Sequence, residues 1–162
     1  RRIDDNAIPA RGKISGAYAN SALIKTDANR AGFDEALVLD NNGHISEGSA
    51  MNIFMLRDGV LVTPPVTDNI LEGITRKSII ELARKELGLE VVERSIDRTE
   101  VFIAEEMFLT GTAAQVTAVT KVDHRPVGAG VMGPVTAKFR TLYEDILRGK
   151  NNKYLRWNVA VK

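Results

Sequence analysis

The sequence predicts an α+β fold of mixed and antiparallel strands with packed helices, and three observations carry that prediction. Short apolar runs come in pairs around Asn41-Asn42-Gly43 and Asp58-Gly59, the turn chemistry of hairpins. Two longer stretches, closing near residues 87 and 148, repeat apolar residues every three or four positions, the period of a helix with one buried face. The chain has 162 residues, 44% of them hydrophobic, enough for one buried core without a second domain. Hairpins interleaved with helices argue against a doubly wound parallel sheet.

Taken in order, residues 16–30 are alanine-rich and free of proline, a helix that stops near Gly32. Ala36-Leu37-Val38-Leu39 and His44-Ile45 form the first hairpin, and residues 52–56 and 60–63 the second, with Glu47-Gly48-Ser49-Ala50 between them. Gly73-Ile74-Thr75 opens a helix with Ile79, Leu82, Ala83 and Leu87 on one face, and Gly88 ends it. Val91-Val92 is a short strand, residues 97–104 a helical turn and residues 107–109 another strand. Thr110-Gly111-Thr112-Ala113-Ala114 makes a small-residue turn, and residues 115–122 alternate as one further strand. The last helix, residues 134–148, has Pro134 in its first turn and directs Val135, Phe139, Leu142 and Ile146 to the core.

Composition excludes several functions. Lys plus Arg number 22 against 21 Asp plus Glu, and no block of like charge marks a nucleic-acid surface. There is no cysteine, hence no thiolate chemistry, and two histidines are too few for a histidine-rich metal site. No apolar run reaches the length of a membrane span. The expected setting is the cytoplasm, with neither membrane nor nucleic acid as partner.

Gly128-Ala129-Gly130-Val131-Met132-Gly133 spells G-x-G-x-x-G before a helix, but Arg125-Pro126 interrupts the strand that a dinucleotide site requires. Glu144 and Asp145, where an acid would be wanted, fall inside the helix, so the segment reads as a glycine-rich loop. Glu47 is a lone carboxylate in a small, apolar run, and composition alone favours a solvent-facing turn. Buried, it would need a cationic or hydrogen-bonding partner or a proton. Gly73-Ile74-Thr75 reads either as an ordinary Thr cap or as a helix mouth that holds phosphate, and the turn at 110–114 carries the same ambiguity. Lys13, set in Arg-Gly-Lys-Ile-Ser-Gly-Ala-Tyr, is by itself a surface lysine.

In order and spacing these features resemble the class IV, fold-type IV aminotransferases that use pyridoxal 5′-phosphate, and among them the large C-terminal domain of the branched-chain branch. The family signature is matched by Glu47, Ser49, Asn52-Ile53-Phe54, Thr63 and Leu71-Glu72-Gly73-Ile74-Thr75-Arg76. Met51 stands where many members have glutamate. The likeness runs from about residue 1 through Gly133-Pro134-Val135-Thr136 to residues 154–157.

The resemblance implies that Lys13 forms the Schiff base and later shuttles the substrate α-proton, which requires a neutral amine. It implies Tyr18 on the cofactor's phenolic oxygen and Glu47 on the ring nitrogen. Leu71, Gly73, Ile74 and Thr75 would surround the ring and phosphate, with the Thr112 hydroxyl closing the phosphate cup. The amides of Thr112 and Ala113 would take the substrate carboxylate. The implied reaction moves the amino group of leucine, isoleucine or valine to 2-oxoglutarate, in a homodimer or higher homo-oligomer. Residues 1–12 are expected to end an interdomain linker and residues 13–162 to form the cofactor-binding large domain, the family's smaller N-terminal domain being absent from this chain. A D-amino-acid transaminase, a lyase acting on aminodeoxychorismate and an inactive isolated domain are the alternatives. The Gly-Thr-Ala-Ala turn and the complete glutamate signature favour the branched-chain branch.

Overall fold

The computed structural model describes residues 1–159. Its centre is a five-stranded sheet built from β3 (Asn52–Arg57), β4 (Val60–Thr63), β5 (Val91–Glu93), β6 (Glu106–Gly111) and β7 (Gln115–Ala118), in the order β5-β4-β3-β6-β7. Within this sheet β4 and β5 run parallel, connected by α2 (Ile74–Glu86), and the other neighbours run antiparallel. A separate antiparallel pair, β1 (Leu37–Leu39) and β2 (Ile45–Gly48), lies ahead of it in the chain. The α+β expectation is met, and the turn Asp58-Gly59 has both residues at positive φ, as a two-residue hairpin loop demands.

The central sheet is buried on both faces, which explains the unbroken apolar run at residues 53–56. Phe54 and Phe108 stack at 5.1 Å between ring centroids, and with Leu61 they meet α2 through Ile79, Leu82 and Ala83. On the same face α3 (Pro134–Leu147) contributes Phe139, Tyr143 and Ile146. The opposite face carries Ile53, Met55, Met107 and Leu109 against Ile45, Ile96 and Val101. The 97–104 segment forms a 3-10 turn, Arg98–Ile103, whose Glu100 accepts from Arg57 and Arg94. These two guanidiniums, Arg94 foremost, pull the Glu100 carboxyl down to about 2.

Three expectations change in detail. The strand forecast over 115–122 is broken after Ala118, and Lys121–Val122 (β8) folds back on Arg125–Pro126 (β9) through Asp123 and His124, both at positive φ. That loop has no glycine to announce it. In α3 the buried stripe is Thr136, Phe139, Tyr143 and Ile146, while Val135 and Leu142 are only partly covered. The first helix is α1 (Tyr18–Arg30), entered through a 3-10 turn at Ser15–Ala17, and Ser21 is its one buried residue.

The glycine-rich loop before α3 is shaped by a carboxylate of the chain itself. Glu106 Oε1 and Oε2 accept from the N–H groups of Val135 and Thr136 at 2.9 and 2.7 Å, filling the helix N-terminus that a dinucleotide would use. A Cβ on Gly133 would lie 2.1 Å from Glu106 Cδ, so glycine is required there. Glu106→Ala should lower stability by about 2 kcal/mol, read as a fall in the urea midpoint, because it strips both amides of a charged acceptor. An unchanged midpoint would contradict this assignment.

Candidate active site

One cavity of about 470 Å³ gathers residues from six parts of the chain. The N-terminal segment supplies Arg2, Arg11 and Lys13, and the start of α1 supplies Tyr18. Glu47 comes from β2, Asn52 from β3, and Leu71, Gly73, Ile74 and Thr75 from the entry to α2. The end of β6 and its hairpin loop bring Thr110, Gly111, Thr112 and Ala113. All nine positions singled out in the sequence therefore line a single space, although 100 residues separate Lys13 from Ala113.

Lys13 ends the 3-10 turn Ala10–Gly12 with φ 49 and ψ 40, a left-handed conformation that costs a non-glycine residue about 1 kcal/mol. Its side chain is exposed at the cavity mouth, beside Ile14 and Tyr18. Small neighbours Gly12, Ser15 and Gly16 leave space around it, and a Cβ on Gly16 would touch nothing within 4 Å.

Glu47 occupies the floor. The solvent-facing turn that composition favours is overturned: the residue sits in β2 at 3% exposure, paired across the ladder with Val38. Its Oε1 meets the Arg2 guanidinium at 2.9 Å, and its Oε2 accepts from the Leu71 N–H at 3.0 Å and from Asn52 Nδ2 at 3.3 Å. Asn52 Nδ2 also donates to the Leu71 carbonyl at 2.8 Å, tying β3 to the approach of α2. Burial pushes the Glu47 carboxyl up to about 7, against the opposing pull of Arg2 and of the Leu71 N–H. A second cation inside the cavity would bring it back down.

A raised carboxyl costs stability as pH rises. Folded Glu47 keeps a proton that the unfolded chain releases near pH 4.5, so the penalty is absent below that pH and complete above about 7. It amounts to about 3 kcal/mol. Without cofactor, the stability of Glu47→Gln relative to the unsubstituted protein should therefore improve by about that amount between pH 4.5 and 8, in urea titrations at each pH. A difference that stays flat would refute the burial assignment.

The entry to α2 is a bare helix N-terminus. Gly73, at φ −62 and ψ 139, is the cap residue and offers no side chain, and no acid occupies the first turn. The N–H groups of the first turn thus lack intrahelical partners and face the cavity with the positive end of the helix dipole. The ordinary Thr cap does not form here, since Thr75 lies inside the helix and its Oγ1 accepts from the Tyr143 hydroxyl at 3.3 Å. A Cβ on Gly73 would fall 2.2 Å from Asn52 Oδ1, which explains the glycine. Thr112 and Ala113 stand opposite, exposed in a three-residue loop closed by the Gly111–Gln115 pair.

Arg2 is the residue that sequence reasoning missed. It is 45 positions from Glu47, and nothing local marks it, yet its backbone N–H bonds the Leu39 carbonyl and its Nε the Asn69 carbonyl, holding the side chain at 12% exposure. Tyr143 was also invisible, because its relation to the cavity is set by helix packing, while Thr110 was read only as part of the ambiguous 110–114 turn, its burial being set by sheet register.

The donor set suits pyridoxal 5′-phosphate. An amine, an anion on the floor for a protonated ring nitrogen, and a bare helix end beside free hydroxyls for a phosphate share one space. The Thr110 hydroxyl is buried and has no hydrogen-bond partner among the described residues.

Comparison with known proteins agrees with this arrangement. Residues 1–122 match a family model described as amino-transferase class IV. A probable branched-chain-amino-acid aminotransferase of Aquifex aeolicus is 50% identical over 99% of the chain and 52% of its own length. The Pseudomonas aeruginosa branched-chain-amino-acid aminotransferase is 48% identical over 97% of the chain and 50% of its own length. Among solved structures, the Thermobaculum terrenum branched-chain amino acid aminotransferase in its PLP form superposes with a TM-score of 0.93 at 41% identity, covering 96% of this chain and 51% of that one. A second crystal structure, the T.th. branched-chain amino acid aminotransferase complexed with N-(5′-phosphopyridoxyl)-L-glutamate, gives 0.95 at 43% identity, over 99% and 54%. The chain spans about half the length of the relatives it matches. With its cavity built from the family's signature positions and three quarters of its length inside the family model, this chain belongs to the class IV aminotransferases.

Proposed function

We propose that residues 13–162 form the cofactor-binding domain of a pyridoxal-phosphate-dependent branched-chain amino-acid aminotransferase, with residues 1–12 as the end of a linker that also delivers Arg2 and Arg11 to the site. The observation that carries the reading is the meeting of Lys13, the buried Glu47 and the uncapped α2 N-terminus in one cavity. The relatives named above support the substrate class, and the relative crystallised with a phosphopyridoxyl glutamate supports glutamate as the second partner.

When bound, the cofactor supplies a carbonyl carbon to carry the amino group and a ring that accepts electrons as the α-proton leaves. The residues do the rest. Lys13 would hold the cofactor through its amine and then move the proton at the substrate α-carbon. Glu47, kept in place by Arg2, Asn52 and the Leu71 N–H, holds a proton at the ring nitrogen as a hydrogen-bonded anion. Tyr18 orients the phenolic oxygen. The amides of Ile74 and Thr75 and the hydroxyls of Thr75 and Thr112 would bind the phosphate, Leu71 would help hold the ring, and the Thr112 and Ala113 amides would receive the substrate carboxylate. The amino group of leucine, isoleucine or valine ends on 2-oxoglutarate, releasing a branched 2-oxo acid and glutamate.

The mouth of the cavity is rimmed by exposed apolar side chains, Ile14, Tyr18 and Ile74, the last 84% exposed. Such a rim fits a site covered by further polypeptide in a cytoplasmic homodimer or larger homo-oligomer, and among the described residues no helix is long and apolar enough to cross a membrane. A donor panel with 2-oxoglutarate tests the reaction on the full-length protein. L-leucine, L-isoleucine and L-valine should support turnover well above D-alanine, whereas a preference for D-alanine, or release of 4-aminobenzoate from aminodeoxychorismate, would replace this reading with one of the alternatives.

A further inference from the structure

Thr110 is 1% exposed, lines the cavity, and has a hydroxyl with no hydrogen-bond partner among the described residues. A buried hydroxyl left unpaired costs about 1–3 kcal/mol, so its retention calls for a partner that arrives from outside. Its direction follows from the sheet. Thr110 pairs with Asn52 across the β3–β6 ladder, and Phe108 with Phe54 two residues along, so all four side chains share one face. Phe54 and Phe108 stack beneath α2 and α3, and the Asn52 side chain lies against Gly73 at the mouth of α2. The Thr110 hydroxyl therefore stands on the face that carries the bare end of α2, next to Asn52.

A second hydroxyl lies behind the same helix end. Tyr143, from α3, is 8% exposed and donates to Thr75 Oγ1. By accepting that proton Thr75 keeps its own hydrogen for another acceptor. The end of α2 is thus furnished with hydroxyl hydrogens from α2 and β6, one of them aimed by α3, and its first turn holds no acid, in contrast to α3, whose N-terminus Glu106 fills.

We propose that Thr110 is an additional hydroxyl ligand of the cofactor phosphate, and that Tyr143 is a positioning residue that sets the Thr75 hydroxyl to donate to the same group. This rests on the cofactor reading above. It assigns three elements, β6, α2 and α3, to the recognition of one phosphoryl group, so that selectivity for the phosphorylated cofactor depends on hydroxyls outside the family signature.

The test compares pyridoxal 5′-phosphate with pyridoxal, which has the same ring and aldehyde but no phosphate. Their dissociation constants are measured by absorbance titration of the full-length protein and of Thr110→Val, Thr110→Ser and Tyr143→Phe. Thr110→Val, nearly equal in shape, should weaken pyridoxal phosphate about tenfold and leave pyridoxal unchanged, and Thr110→Ser should restore the preference. Tyr143→Phe should reduce the preference by a smaller factor in the same direction. An unchanged ratio of the two constants in Thr110→Val, whether both weaken together or neither moves, would overturn the proposal for Thr110. An unchanged ratio in Tyr143→Phe would overturn the positioning role. Failure of the unsubstituted protein to prefer pyridoxal phosphate would instead sink the cofactor reading itself.

Discussion

Lys13→Ala in the full-length protein should abolish borohydride-trapped attachment of the cofactor and reduce turnover by at least the 10²–10⁴-fold, roughly, that positioned proton transfer contributes. The expectation rests on placement. Lys13 is held in a left-handed conformation at the end of a 3-10 turn, an arrangement with a cost that surface lysines do not normally bear, and it faces the cavity that Glu47 and α2 define. The cofactor should still bind weakly through the end of α2 and Glu47, so the variant should retain a dissociable cofactor without covalent capture. Mass spectrometry after reduction locates the attachment. Trapping on another lysine, or turnover that survives Lys13→Ala, would refute the role.

Arg2→Met should destabilise the protein by about 1 kcal/mol more at pH 8 than at about pH 5. Removing one partner of a buried ion pair leaves the other charge uncompensated, and that penalty applies only where Glu47 is ionised. With the Coulombic help of Arg2 gone, the Glu47 carboxyl rises further above its present value of about 7, so near neutral pH the site floor carries a neutral acid. Urea unfolding of the cofactor-free protein at the two pH values measures the difference. Equal destabilisation in mild acid and mild base would show that Arg2 acts by packing alone. Arg2→Lys separates charge from geometry, since an ammonium cannot hold both Glu47 and the Asn69 carbonyl with a planar fork.

Much of the fold was legible because local chemistry and tertiary demand agree. Asp58-Gly59 supplies the two positive φ values of a tight hairpin, and Gly73 gives a cap residue with no side chain where Asn52 leaves no room. The β8–β9 loop was not legible, because Asp123 and His124 adopt positive φ without glycine, held by pairing between Lys121–Val122 and Arg125–Pro126. The α3 stripe was shifted for a related reason. Tyr143 is drawn inward by the contact of its hydroxyl with Thr75, a demand made by a helix nearly 70 residues away.

The candidate site divides in the same manner. Order and spacing along one dimension were enough for the family resemblance, since Lys13, Glu47, Gly73-Ile74-Thr75 and Thr112-Ala113 keep their intervals whatever the chain folds into. The amine, the anion and the helix start could be named for the same reason, because their chemistry belongs to the residue types. What surrounds them was settled in three dimensions. Whether Glu47 is a wet turn or a buried anion depends on the β1–β2 ladder and on an arginine 45 residues upstream. Whether a helix N-terminus is free depends on what packs against it: Glu106 fills that of α3, while α2 has neither a capping side chain nor an acid in its first turn. Burial and pairing are properties of neighbours in space, and the free energy of a buried charge or an unpaired hydroxyl is set by those neighbours.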